Sequence, residues 1–175
     1  GYIGVAKHLV KQGIDLLAVA HDYELFLLRE NGIRKPILLF EKPHPKNVKQ
    51  IINVGAQLTV FDNEGINATQ KAAKALNKKV KVHLKLDVGM GRLGALSDQA
   101  LKLSQHITKK PNLQLHGTYS HFPSADDDPK ASQKHHQQFK TVLETLAKNN
   151  ISPPVVHMGN SPATLNIKNL VGTHI

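Results

Sequence analysis

The sequence predicts an α/β protein of the (β/α)8 TIM-type barrel class. Short apolar runs and amphipathic helical stripes alternate about seven times, the pattern of a parallel sheet with helical crossovers. No flexible linker or low-complexity stretch interrupts them, so residues 1–175 read as one domain. Polar residues or turns follow each of the later strands, as they do at the carboxyl-end face of a barrel, where active sites lie.

The elements follow in order. Val5, Ala6, Leu9 and Val10 form a helical stripe that stops at Gly13. Leu16–Ala20 is a short apolar run, read as a strand buried on both faces. Asp22 is placed to cap a helix with Leu25, Phe26 and Leu28 inward and Gly32 at its end. Pro36–Phe40 is a second buried strand, Val48, Ile51 and Ile52 mark a helix, and Leu58–Phe61 is a third strand. Ala72, Ala73 and Leu76 belong to the helix before a central strand. That strand, Lys81–Asp87, alternates Val82, Leu84 and Leu86 with Lys81, His83, Lys85 and Asp87. Ser97 is read as the cap of a helix carrying Ala100, Leu103 and Ile107. Leu113–Phe122 is another strand, followed by an acidic loop, Asp126–Pro129, and a long helix with Phe139, Val142, Leu143 and Leu146. Val155–His157 is a strand, Asn160-Ser161-Pro162 a turn, and Leu170-Val171 the opening of a last strand.

The stretch around which the chain is organised is the glycine-rich turn after the central strand. Gly89, Gly91 and Gly94 allow positive φ or close approach, and Arg92 puts one cation among them. Gly89-x-Gly91-x-x-Gly94 also matches the dinucleotide-binding fingerprint. That motif wants an acidic residue at the end of the next strand, and Leu113–Gly117 has none, so a nucleotide-binding module is the weakest of the readings.

Composition narrows the classes further. The formal charge is +10, yet the lysines are scattered and arginine occurs only at 29, 34 and 92. Aromatic residues are 5% and do not interleave with the charges. A nucleic-acid surface concentrates its cations on one face, so this reads as a solvated basic surface with no nucleic-acid partner. With no cysteine, disulfides and thiolate metal sites are ruled out, which fits a reducing compartment, and no metal is expected. No run of apolar residues is long enough to span a membrane, and Gly1–Gly4 lacks the features of a signal peptide.

Candidate site residues lie at successive strand ends: Arg92, His121, Asn160 with Ser161, and Gly172 with Thr173. Each alone is ordinary, since a single histidine at a strand end is more often structural and Asn-Ser-Pro is a common turn. Their joint placement is what points to one site, with main-chain amides and a hydroxyl near the last two strands forming the usual phosphate position of this fold.

Four ordered segments resemble the pyridoxal-phosphate-dependent alanine racemases. They are Leu17–Ala20 with Leu28–Ile33 and Pro36–Leu38, then His83–Gly94, then Gly117–Asp126, then Val156–Ser161. The resemblance implies an isomerase that interconverts L-alanine and D-alanine through a pyridoxal 5′-phosphate Schiff base, with one base on each face of Cα. It implies a homodimer in the bacterial cytoplasm, supplying D-alanine for peptidoglycan of the cell wall, with a small amino acid as its ligand and no membrane partner. By position it places Arg92 beside the cofactor phenolate and the substrate carboxylate, and His121 against the pyridine ring. Asn160 would support the ring, Ser161, Gly172 and Thr173 would bind the phosphate, and Lys85 would be a carbamylated lysine that positions Arg92.

Three departures from the family pattern shape the expectations. The family's Schiff-base lysine lies in Lys-x-x-x-Tyr-Gly-His-Gly, and the chain meets that motif only at its last glycine, Gly1. The barrel is therefore expected to be incomplete, with its first strand missing. The catalytic tyrosine belongs to a C-terminal β domain of the partner subunit, also outside residues 1–175. An arginine that the family places before Gly172 has no counterpart after Val171. These residues alone are thus expected to be inactive. The alternative function is a non-catalytic pyridoxal-phosphate carrier on the same barrel, which would lack the tyrosine-bearing domain. Preference among alanine, serine and lysine is not legible in the sequence.

Overall fold

The strands of the computed structural model, which describes residues 1–167 and 169–173, all run parallel. In chain order they are β1 (Leu17–Val19), β2 (Ile37–Leu39), β3 (Gln57–Val60), β4 (Val80–Asp87), β5 (Ala95–Leu96), β6 (Leu113–Tyr119) and β7 (Val155–His157). The sheet order is β1-β2-β3-β4-β6-β7, with two-residue β5 attached to the end of β4. Helices α1 (Tyr2–Lys11), α2 (Asp22–Glu30), α3 (Val48–Asn53), α4 (Asn63–Ala75), α5 (Ala100–Thr108) and α6 (Pro129–Lys148) connect them, and α7 (Ser161–Asn166) follows β7. Strands succeed one another in space as in sequence, which is the winding of a barrel. Among the described residues β1 and β7 do not pair, so the barrel is incomplete, as expected.

Burial explains the strand patterns. Every residue of β2 and β3 is buried, because helices cover one face and the barrel interior lies on the other. In β4 the apolar set Val82, Leu84 and Leu86 faces the helices, while the alternating polar set points inward; His83 is 0% and Lys85 6% exposed. The polar face is therefore an interior. A bulge in β6 shifts the register so that Gly117, not His116, stands opposite His83, whose ring fills the space a Cβ at 117 would need.

Several local readings shift. His21, not Asp22, is the N-cap of α2; Glu24 reaches back to accept from the N–H groups of His21 and Ala20, both at 2.9 Å. Ser97 caps nothing: it opens a 3₁₀ turn, Ser97–Gln99, that leads into α5. The acidic loop supplies its own cap, with Asp128 accepting from Ala131 N at 2.9 Å ahead of Pro129. The turn read at Asn160 starts a helix, α7, and the strand read at Leu170-Val171 is not formed. Instead Thr173 N donates to Val156 O at 2.7 Å and Val156 N donates to Thr173 Oγ1 at 2.8 Å, beside β7.

At the amino ends of the strands one side chain gathers the loops. Arg29, on the last turn of α2, donates to the carbonyls of Val54, Ile33, Lys35 and Gly55, which belong to the turns entering β2 and β3. No helix among the described residues is long and apolar enough to cross a membrane.

Candidate active site

The glycine turn is built around Asp87, the last residue of β4. Its carboxylate accepts from Gly89 N at 2.9 Å and Arg92 N at 3.1 Å. Burial pushes this carboxyl up, but the N–H groups of Gly89, Gly91, Arg92 and Met90 outweigh it and hold the group below the usual carboxylate range. Gly94 closes the turn against the backbone of Leu86 and Asp87 at φ +140°. The sequence thus spends its glycines on wrapping a chain segment around one carboxylate, which presents Arg92 at the carboxyl-end face.

A cavity of about 350 Å³ opens there. Its walls come from the ends of five strands: Ala20 and His21 after β1, Phe40 and Glu41 after β2, Lys85 with Arg92 and Leu93 from β4 and its turn, Tyr119 to His121 from β6, and His157 with Gly159 from β7. Phe40, His157 and Gly159 also border a second cavity of about 470 Å³, which extends past Leu16, Ala18 and Leu38 to Thr173, across the flank between β1 and β7. Of the residues singled out from the sequence, Lys85, Arg92 and His121 converge on the first cavity and Thr173 on the second. Asn160, Ser161 and Gly172 line neither. Asn160 caps α7 by accepting from Ala163 N at 3.1 Å and donates to Phe122 O at 3.3 Å, tying the end of β7 to the end of β6. Ser161 is exposed at the first position of α7.

The site is cationic, with Lys85 and Tyr119 buried at its base. Burial, then Arg92, lowers the Lys85 ammonium from its ordinary value, against the pull of Asp87. Lys85 Nζ lies 5.5 Å from the centre of the Tyr119 ring. Burial, then Arg92 and Lys85, lowers His121. The carboxylate at the rim, Glu41, is taken by His21 Nδ1 at 2.9 Å and Asp22 N at 2.8 Å. Among the described residues no carboxylate pairs with the Arg92 guanidinium. The arrangement suits an anionic, flat ligand: one free guanidinium fork, a neutral imidazole and an aromatic wall.

Tyr119 and His157 make that wall, stacked at 4.6 Å with an angle of 9° between rings. Sequence reasoning had not assigned either a role. The signal was present in the period of two, because Tyr119 shares a strand face with His121. Among the described residues Tyr119 is the one tyrosine lining the cavity. Its hydroxyl lies 2.9 Å from Thr59 Oγ1, which itself donates to Leu39 O at 2.7 Å, so Tyr119 donates to Thr59. Burial pushes that hydroxyl up, and it stays protonated. Tyr119 serves as a wall of the cavity.

The lowered His121 sets a pH dependence. Between its folded value and the ordinary 6.5, the unfolded chain binds more protons, so stability rises with pH across that window and falls as pH drops through it. The His121 ring resonances should therefore titrate with a midpoint below 6.5, and His121→Gln should flatten the pH dependence of the urea midpoint below neutrality. A midpoint at or above the ordinary value would contradict the packing described for this ring.

Comparison with known proteins gives one consistent answer. The family model described as "Alanine racemase, N-terminal domain" matches residues 1–174. Alanine racemase 1 of Caldanaerobacter subterraneus subsp. tengcongensis is 36% identical over 165 residues, covering 93% of the chain and 42% of the relative. Alanine racemase of Treponema denticola is 35% identical over 169 residues, covering 94% and 45%. Among solved structures, alanine racemase of Clostridium difficile 630 in complex with cycloserine superposes with a TM-score of 0.93 at 30% identity, covering 97% of this chain and 47% of that one. Alanine racemase from E. faecalis gives 0.91 at 28%, covering 100% and 47%. The chain spans less than half the length of these relatives. With the barrel, the Asp87-centred turn and the cationic cavity all in place, the chain belongs to the alanine racemase N-terminal domain family.

Proposed function

We propose that the complete protein is a pyridoxal 5′-phosphate-dependent isomerase that interconverts L-alanine and D-alanine. The observation that carries this is the convergence of Lys85, Arg92 and His121 on one cavity in a member of this family. The residues fit the cofactor's chemistry: a volume in the range of small-molecule sites, a stacked aromatic wall, and an Arg92 guanidinium that no carboxylate among the described residues pairs with. Bound there, pyridoxal phosphate supplies an electron sink that acidifies the amino acid's Cα–H.

The chain's own part is to bind and orient. Arg92 would hold the cofactor phenolate and the substrate carboxylate with its planar fork. His121, lowered by burial and by Arg92 and Lys85, would pack on the ring without adding positive charge. Asn160 fixes the turn after β7, and Ser161, Gly172 and Thr173 are proposed for the phosphate. The two bases are proposed to come from outside these 175 residues, a lysine just before Gly1 and a tyrosine from a C-terminal β domain of the partner in a homodimer. What supports this is that the cavity's own tyrosine is engaged by Thr59 and its own lysine, Lys85, lies against the Tyr119 ring. Residues 1–175 alone are therefore proposed to be inactive. Lys85 is proposed to carry a carbamate, because its lowered pKa favours the neutral amine that adds carbon dioxide. A cytoplasmic location and supply of D-alanine to the cell wall complete the reading.

The test is chiral chromatography of alanine incubated with the complete protein and pyridoxal phosphate, followed by borohydride reduction and peptide mapping. D-alanine should form, and the pyridoxyl group should sit on a lysine outside residues 1–175. Cofactor binding without D-alanine would favour the carrier reading. A pyridoxyl-lysine within residues 1–175 would defeat the assignment of the bases. With labelled bicarbonate, a carbamate carbon signal should appear and be lost in Lys85→Met; its absence from the unsubstituted protein would reject the modification alone.

A further inference from the structure

Helix α6 carries a histidine on its inward stripe. Ser132, Phe139, Val142 and Leu146 are buried on that stripe, and His135 lies between the first two, about one turn from each. Its ring stands directly over Gly89. A Cβ added at Gly89 would overlap three atoms of the imidazole, and Gly89 has φ +145°. The glycine turn is therefore held from two sides: Asp87 draws the Gly89 and Arg92 N–H groups inward, and the Nε2 end of the His135 ring closes on the outside. His135 Nδ1 is enclosed and has no hydrogen-bond partner among the described residues. No polar bond at that nitrogen holds the ring in place, and an enclosed nitrogen without a partner costs stability. What the ring contributes is its rigid Nε2 end, packed behind the turn.

We infer that His135 is a positioning residue for Arg92, acting through Gly89. The inference rests on the reading of Arg92 as the anion-binding fork. With the ring removed, the turn keeps its Asp87 hydrogen bonds but gains room to shift away from the sheet, and Arg92, three residues on, shifts with it. Misplacing a catalytic contact by about 1 Å can cost up to roughly 10²-fold in rate. The loss should fall on turnover, because the fork itself remains.

The experiment uses the complete protein and two readouts. Without cofactor, hydrogen–deuterium exchange of the peptide spanning residues 88–94 should quicken at least about tenfold in His135→Ala, because a loosened turn opens more often. In the assay, His135→Ala should lower kcat about tenfold, with KM changed less than about threefold. His135→Gln, a flat amide of similar reach, should restore most of the loss. Combined with Arg92→Ala, His135→Ala should cost less than about twofold more, because one acts through the other. Unchanged exchange in the turn would overturn the inference, as would effects of the two substitutions that multiply. If Arg92→Ala itself keeps normal turnover, the reading of Arg92 fails, while the exchange measurement still decides whether His135 grips the turn. Should His135→Ala not fold, His135→Leu, bulky but not flat, takes its place in both measurements with the same expected outcomes.

Discussion

Arg92→Ala in the complete protein should lower alanine turnover by about 10²–10³, the usual cost of removing one preorganised contact at developing negative charge. The expectation follows from where the side chain stands. Its main chain is fixed by Asp87, its guanidinium has no carboxylate partner among the described residues, and it lines the cavity with Lys85 and His121. Arg92→Lys should recover little, because an ammonium cannot make the paired contacts of a planar fork. A second readout is independent of turnover. Arg92 helps to lower both His121 and Lys85, so in Arg92→Ala the His121 midpoint should move up toward its ordinary value. Near-normal turnover together with an unmoved His121 would take Arg92 out of the site.

Gly94→Ala should be the most damaging single methyl in the turn. The new Cβ would lie 2.6 Å from Asp87 N and Leu86 C and 3.0 Å from Leu86 O, all backbone atoms of a buried strand that has no room to yield. The φ of +140° adds strain for any residue with a side chain. Backbone strain of about 1–3 kcal/mol and overpacking of about 1–3 kcal/mol together predict a loss of roughly 2–6 kcal/mol. Gly91→Ala is the control. It sits at φ +67° with open space around its Cα, so only the left-handed penalty of about 1–2 kcal/mol applies. Urea denaturation followed by circular dichroism should order the variants wild type, Gly91→Ala, Gly94→Ala. An equal loss for the two would mean that the close approach to β4 is not what requires glycine at 94.

The parallel strands were readable because a strand covered on both faces must be apolar almost throughout, as β2 is; β1 keeps the apolar run but not the burial on both faces read from it, since Ala18 is exposed on the flank where β1 has no neighbour beyond it among the described residues. The turn was readable because three glycines around an arginine leave few alternatives. What escaped the sequence was set by distance or by brevity. α7 has six residues, too few to reveal a helical period, so Asn160 looked like a turn residue when it is a cap. Ser97 has the chemistry of a cap, but a 3₁₀ turn intervenes between β5 and α5, and residue type does not distinguish the two. His21 displaced Asp22 as cap because Glu24 supplies the carboxylate from inside the helix. The inward direction of His83 and Lys85 depends on which side of β4 the helices occupy, and the contact between His135 and Gly89 joins residues 46 apart. No local pattern encodes either.

Arg29 divides the labour between the two ends of the sheet. Its guanidinium meets four carbonyls at the amino ends of β2 and β3, far along the strands from the loops that carry Arg92 and His121. The frame is thus bolted at one end and worked at the other. The exposed rim residue Leu93 lies away from those bolts, whereas His21 and Glu41 serve the start of the helix that carries Arg29. The same economy concentrates risk, since one guanidinium secures two successive strand–helix units, and a lysine with its single ammonium could not reach all four oxygens at once.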